Sequence, residues 1–199
     1  MTRRRMRMPR QRRQAGATLV EILVSLMILM VGLLGLIGVM VQSQRAQLES
    51  YQRVQALLLA QDMVARIAAN RTASDCYALG TTEIAVGSSV PTPATGCSGT
   101  GATASAAKAR ATQDLTDWQA LLAGAAEQSG GNNAGSILAA RGCIKKDATT
   151  GVFQVSVAWQ GINSVGVPPA GITCGTGQFG ADDAQRRAVS VTVLPPTAS

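Results

Sequence analysis

The sequence predicts an α+β protein, with one long N-terminal helix packed on a small antiparallel sheet. Three observations predict it. Ile22 to Val41 is an apolar run in which Ser25 is the single polar side chain, and no Pro or Gly interrupts Gln42 to Arg71. Two later stretches, 152–160 and 187–194, alternate apolar and polar residues with period two, as half-buried strands do. Between the helical and strand regions lie long stretches rich in Gly, Ser, Thr and Pro, the composition of loops.

The helix comes first. Twenty residues at 1.5 Å each reach about 30 Å, one hydrocarbon thickness. A cleaved secretory signal has an apolar core of about 7–15 residues and a small-residue cut site after it. Here the run is longer and Gln42-Ser43-Gln44-Arg45 follows, so the segment reads as a retained membrane helix that brings lipid into contact with residues 17–41. The chain carries 18 Lys plus Arg against 11 Asp plus Glu, and seven of those basic residues fall in the first 13 positions. That cluster predicts a cytoplasmic N-terminus and an exported remainder. The eleven basic residues after it balance the eleven acids. The high pI therefore belongs to a tail, and no nucleic-acid partner is predicted.

Residues 42–71 are predicted to continue the helix as its amphipathic half. Val54, Leu57, Leu58, Val64, Ala65 and Ala68 are the predicted packing face, with Glu49–Arg53 and Asp62–Arg66 as i,i+4 ion pairs. Gly32, Gly35 and Gly38 recur in the apolar half, where each costs helix propensity in water; they read either as the small residues that membrane helices tolerate or as a helix able to unwind locally. Asn70-Arg71-Thr72 is a formal glycosylation sequon with little weight at a helix end.

The remainder, 72–199, is predicted to be the globular head. Residues 72–111 read as a long loop with little core. Gln113 to Ala126 has helical spacing with Thr112 as its cap, and Ser129 to Gly135 is a breaker. Strands are expected within Ser136–Lys145, at Val152–Gln160 and at Arg187–Leu194, with Asp147-Ala148-Thr149-Thr150-Gly151 as a hairpin turn. Four cysteines in an exported chain predict disulfides. Their order suggests Cys76–Cys97 and Cys143–Cys174, although three connectivities are formally open.

Sites of chemistry are few. The chain has no histidine, which removes His-based triads and His metal ligation within it. Without a Cys-x-x-Cys, no metal site and no cofactor are predicted. Gly99-Thr100-Gly101-Ala102-Thr103-Ala104 matches a loose glycine fingerprint but follows a loop instead of a strand. Asp182-Asp183 reads as a solvated turn, and Asp114 and Asp117 as surface carboxylates. No catalytic residues are predicted.

Glu21 is the exception, a charged residue at the start of the apolar run. It lies four residues after Ala17, the spacing of one helix face. Arg13-Gln14-Ala15-Gly16-Ala17-Thr18-Leu19-Val20-Glu21-Ile22-Leu23-Val24-Ser25-Leu26 resembles the prepilin signature of type IV pilins and type II secretion pseudopilins. The resemblance implies a pilin-like fold and a leader (1–16) removed after Gly16 by a prepilin peptidase. It implies N-methylation at Ala17, where the family usually has Phe, and subunit docking through Glu21. A freed amine at Ala17, on this chain or a neighbour, would neutralise Glu21 where unpaired charge is expensive.

Further patches resemble a narrower family, the type IV pilus modification protein PilV. They are Ser50–Arg53 with Leu57–Met63, Arg66–Arg71, Asp114–Leu122, and Gly142–Ile144 leading to Val157–Gly161. This resemblance implies a minor pilin anchored in the inner membrane, its head periplasmic, that takes part in priming and assembly of type IV pili. The implied partners are other minor pilins and the major pilin, the prepilin peptidase, the inner-membrane assembly platform and a pilus-tip adhesin. Competing expectations are a type II secretion pseudopilin and a membrane-anchored periplasmic enzyme or binding domain.

Overall fold

The computed structural model describes residues 16–85, 88–89, 97, 102–133, 135, 137–180 and 182–195. The basic leader up to Ala15, most of 86–101 and the glycine fingerprint at 99–101 lie outside the described residues. The chain divides into two compact units, Met1–Gln44 and Arg45–Ser199. Helix α1, Leu19–Ala69, runs through both.

In the first unit, α1 is apolar on every side, and the most apolar window buries none of its residues. Helix is the one open structure that satisfies every backbone polar group in lipid. Gly32, Gly35 and Gly38 do not break α1, and a Cβ added at any of them would meet nothing within 4 Å.

In the second unit the packing face of α1 differs from the expected one. Ala56, Ala60, Met63 and Ile67 are buried, a stripe spaced four, three and four residues apart. Val54, Leu57 and Leu58 point outward instead. The buried stripe mixes the small Ala56 and Ala60 with the large Met63 and Ile67, so position on the helix, and not side-chain size, decides what lies inside. Asp62–Arg66 forms as expected at 2.7 Å. Glu49 turns away from Arg53 and pairs with Arg187 at 3.7 Å.

The stretch expected as a loop holds more structure than its composition suggested. A 3₁₀ helix covers Arg71–Tyr77, strand β1 covers Glu83–Ala85, and helix α2 runs Ala102–Leu122. Thr112 is therefore no cap. It sits inside α2, its hydroxyl donating to the Lys108 carbonyl at 3.1 Å. The expected breaker contains a small hairpin, β2 (Gln128–Ser129) with β3 (Asn132–Asn133). Gly130 and Gly131 both take positive φ, which a two-residue turn of this kind demands.

Strands β4 (Arg141–Lys146), β5 (Phe153–Gln160) and β6 (Arg186–Val193) complete an antiparallel sheet of order β1-β4-β5-β6. The β4–β5 turn follows its chemistry. The Asp147 carboxylate accepts the amides of Thr149 and Thr150 at 2.8 and 2.9 Å, and Gly151 has φ +70. Those amide bonds hold the Asp147 carboxyl below its ordinary pKa.

Both faces of the sheet are covered. Phe153, Val155, Val157 and Trp159 join the helix-side core, together with Trp118, Leu115 and Ile144. Cys143, Ala158, Cys174 and Phe179 make a second, smaller core on the other face. Gly142 in β4 lets α2 approach, since a Cβ there would lie 2.4 Å from the Trp118 ring.

Candidate functional site

At the N-terminus, Gly16, Ala17 and Thr18 are exposed and non-helical, and α1 begins at Leu19. The Gly16–Ala17 bond thus lies outside the helical hydrogen-bond ladder, where a protease can take it in extended form. Ala17 precedes the helix, so it does not share a helical face with Glu21 as its spacing had suggested. What shapes this end is Thr18. Its Oγ1 accepts the Glu21 amide at 3.3 Å, and its carbonyl accepts the Ile22 amide at 3.3 Å. Thr18-x-x-Glu21 is the sequence signature of a capping box, a local signal for this helix start. Ser25 Oγ donates to the Glu21 carbonyl at 2.7 Å. Glu21 lies in the first turn, where the helix dipole favours an anion. Its carboxylate is exposed and has no ion-pair partner among the described residues.

In the second unit, the polar groups between α1 and α2 are structural. Arg66 reaches Asp62 at 2.7 Å, Asp114 at 3.2 Å and Asp117 at 3.6 Å. Asp114 is buried, contrary to its expected place on the surface. Tyr77 donates its hydroxyl to Asp114 at 2.5 Å, and the Asn70 side-chain amide donates to Tyr77 at 3.1 Å and to the Ala107 carbonyl at 2.8 Å. Burial works against the Arg66 charge, but Asp62 and then Asp114 outweigh it and raise its pKa. Burial first, and the Asp114 carboxylate second, push the Tyr77 phenol well above its ordinary pKa. Trp118 adds a bond from Nε1 to the Leu59 carbonyl at 2.8 Å. Asn70 is buried within this network, which rules out its sequon as a glycan acceptor in the folded chain.

The cysteines are joined as Cys76–Cys97 and Cys143–Cys174. The Glu83 carboxylate and the sulfurs of Cys143 and Cys174 lie within 4.8 Å of one another. They make no metal centre, because a disulfide offers no thiolate. Glu83 already accepts the Gly175 amide at 2.8 Å and pairs with Arg141 at 3.3 Å. Asp183 is likewise committed. Both its oxygens accept the Gly177 amide at 2.9 Å, and it pairs with Arg186 at 3.3 Å.

Two comparisons with known families bear on this arrangement. Residues 39–116 match the family described as type IV pilin Tt1218, and residues 11–37 match the prokaryotic N-terminal methylation motif. The first span takes in Arg66, Asn70, Tyr77 and Asp114; the second takes in Gly16, Ala17 and Glu21. No curated protein and no solved structure matches the chain. A long N-terminal helix with a small antiparallel sheet is consistent with the pilin fold. The two matches support a type IV pilin, a family of structural subunits, and the exposed apolar stretch of α1 fits a pilin anchored in a membrane.

Proposed function

We propose that this type IV pilin subunit is a minor pilin of the PilV kind, one that works with other minor pilins to prime fibre assembly. In this reading the leader is cut between Gly16 and Ala17, and Ala17 is then methylated on its new amine. Until extraction, residues 17–41 span the inner membrane, with the N-terminus cytoplasmic and residues 72–199 periplasmic. Other minor pilins, the major pilin, the assembly platform and a tip adhesin are the partners proposed.

The observation that carries the reading is the isolation of Glu21. It is the one charged residue between Gly16 and Arg45. A charge costs roughly 2.5–3.5 kcal/mol at the centre of a membrane helix on insertion scales, and less toward the end where Glu21 lies. A carboxylate kept at the head of an otherwise uncharged span suits a site that meets a cation, and the α-amine of a neighbouring subunit is the nearest cation that processing creates.

Mass spectrometry of the mature N-terminus, combined with pilus incorporation of Glu21→Ala, tests the reading. A processed, methylated Ala17 and a cleaved but unincorporated variant are expected. An intact Met1 tail, or normal incorporation of Glu21→Ala, would overturn it.

A further inference from the structure

The longest charge-free stretch of the chain is 148–181, which contains no Asp, Glu, Lys or Arg. Within it, Ile162, Val165 and Val167 stand out from the surface, 43%, 70% and 61% exposed. Three β-branched apolar residues so close together on an exposed loop are poorly matched to water. The loop is nevertheless braced. The Gly161 amide donates to the Gln185 carbonyl at 2.7 Å, and the Val165 amide to the Ala184 carbonyl at 3.1 Å. Arg187 donates to the Asn163 carbonyl at 2.6 Å, and Pro168-Pro169 stiffens the far side. The apolar side chains are therefore presented on a rigid base.

The same base ties the loop to α1. Asn163 donates to Glu49 at 3.5 Å, and Arg187 lies 3.7 Å from Glu49. Glu49 comes eight residues after Val41, where the apolar run ends. Eight residues reach at most roughly 27 Å however the chain is bent, and about 12 Å as helix. The headgroup layer on each side of the hydrocarbon is about 5–8 Å deep. A loop tethered at Glu49 is thus confined to the neighbourhood of the membrane surface. Exposed Arg45, the first charge after the run, adds attraction to anionic headgroups.

We propose that the 161–169 loop is an interfacial lipid contact in which Ile162, Val165 and Val167 seat shallowly in the surface of the bilayer that α1 crosses. The proposal rests on the membrane-anchored reading above. The Val165 amide, already bonded to the Ala184 carbonyl, needs no water there.

The test uses the full chain reconstituted, without reductant, into vesicles of phosphatidylethanolamine and phosphatidylglycerol. Variants with one added free cysteine, Val165→Cys, Leu29→Cys and Thr149→Cys, both disulfides kept, carry an environment-sensitive fluorophore there, and spin-labelled lipids quench it at shallow or deep positions. Thr149 is exposed in the β4–β5 turn and serves as the water-exposed control. The expected result is loss of Leu29 emission with deep quencher, loss of Val165 emission with shallow quencher, and no loss at Thr149. A quenched Leu29 with an unquenched Val165 overturns the loop contact while the membrane anchor stands. If Leu29 is also unquenched, the anchor reading itself fails. A Val165 probe that is shielded from water yet untouched by lipid quencher assigns the loop to a protein neighbour and likewise overturns the proposal.

Discussion

The first and second halves of α1 obey different rules within one continuous helix. From Leu19 to Val41 nearly every side chain is apolar and exposed, so no face is distinguished. From Arg45 to Ala69 only a narrow stripe is buried, and its upper part is two alanines. Leu58, larger than either alanine, is 58% exposed while Ala56 and Ala60 are 0%. Apolarity alone therefore identifies the first half, where the surroundings are uniformly apolar. It misidentifies the packing face of the second, where apolar residues lie on both the buried and the exposed side.

The largest expected effect separates the halves outright. Trp118 is fully buried against Gly142 and bonds the Leu59 carbonyl. Trp118→Ala should destabilise residues 45–199 by about 3–5 kcal/mol. Thermal unfolding followed by near-UV circular dichroism measures this. An unchanged melt would mean that α2 does not hold α1 in place.

Next comes a contrast within the second half. Met63→Ala should cost about 2–5 kcal/mol because it opens a hole in the buried stripe. Leu58 lines an open apolar groove with Leu59, Leu121, Leu122 and Ile137, so Leu58→Ala should stay within about 0.5 kcal/mol. Equal losses in denaturant unfolding would erase the distinction between the two faces.

A third change belongs to the first half alone. Leu29→Arg should disfavour membrane insertion by roughly 2.5–3.5 kcal/mol, read as the inserted fraction in a translocon assay. It should leave the melt of residues 45–199 unchanged. A shifted melt would show that the apolar half supports the second unit's fold.

The same contrast explains what the sequence made legible. The apolar run needed no competitor to be weighed against, and it lies within the single helix Leu19–Ala69. Strands β5 and β6 were legible because alternation has a single period, and the Asp147–Gly151 turn because its chemistry is local. The start of α2 was missed because Ala, Ser and Thr in 102–111 resemble loop composition, although Ala is the best helix former. The burial of Asp114 had no local signal. It is decided by Arg66, 48 residues away, and Tyr77, 37 residues away. At the candidate site, Gly16 and Glu21 stood out as motif positions, while the Thr18 cap was legible but unread.

The smallest effect probes that long-range network through pH. Tyr77→Phe removes a donor to Asp114 and an acceptor for Asn70, and Asp114 keeps Arg66 while Asn70 keeps the Ala107 carbonyl. The loss near neutral pH should therefore be only about 1–2 kcal/mol. The sign of the pH dependence is fixed by the raised phenol pKa. The folded state holds the phenolic proton more tightly than the unfolded chain does. Stability from this group is fully present below the unfolded value of roughly 10 and is lost as pH rises toward the folded value. In wild type the melt should fall on the alkaline side, and Tyr77→Phe should flatten that fall. Tyr51 is a second phenol with a raised pKa, held by Glu127 at 2.9 Å but exposed. Tyr51→Phe should leave most of the alkaline limb in place. An alkaline limb unchanged in Tyr77→Phe would place the titrating group elsewhere and remove Tyr77 from the clamp between α2 and the second half of α1.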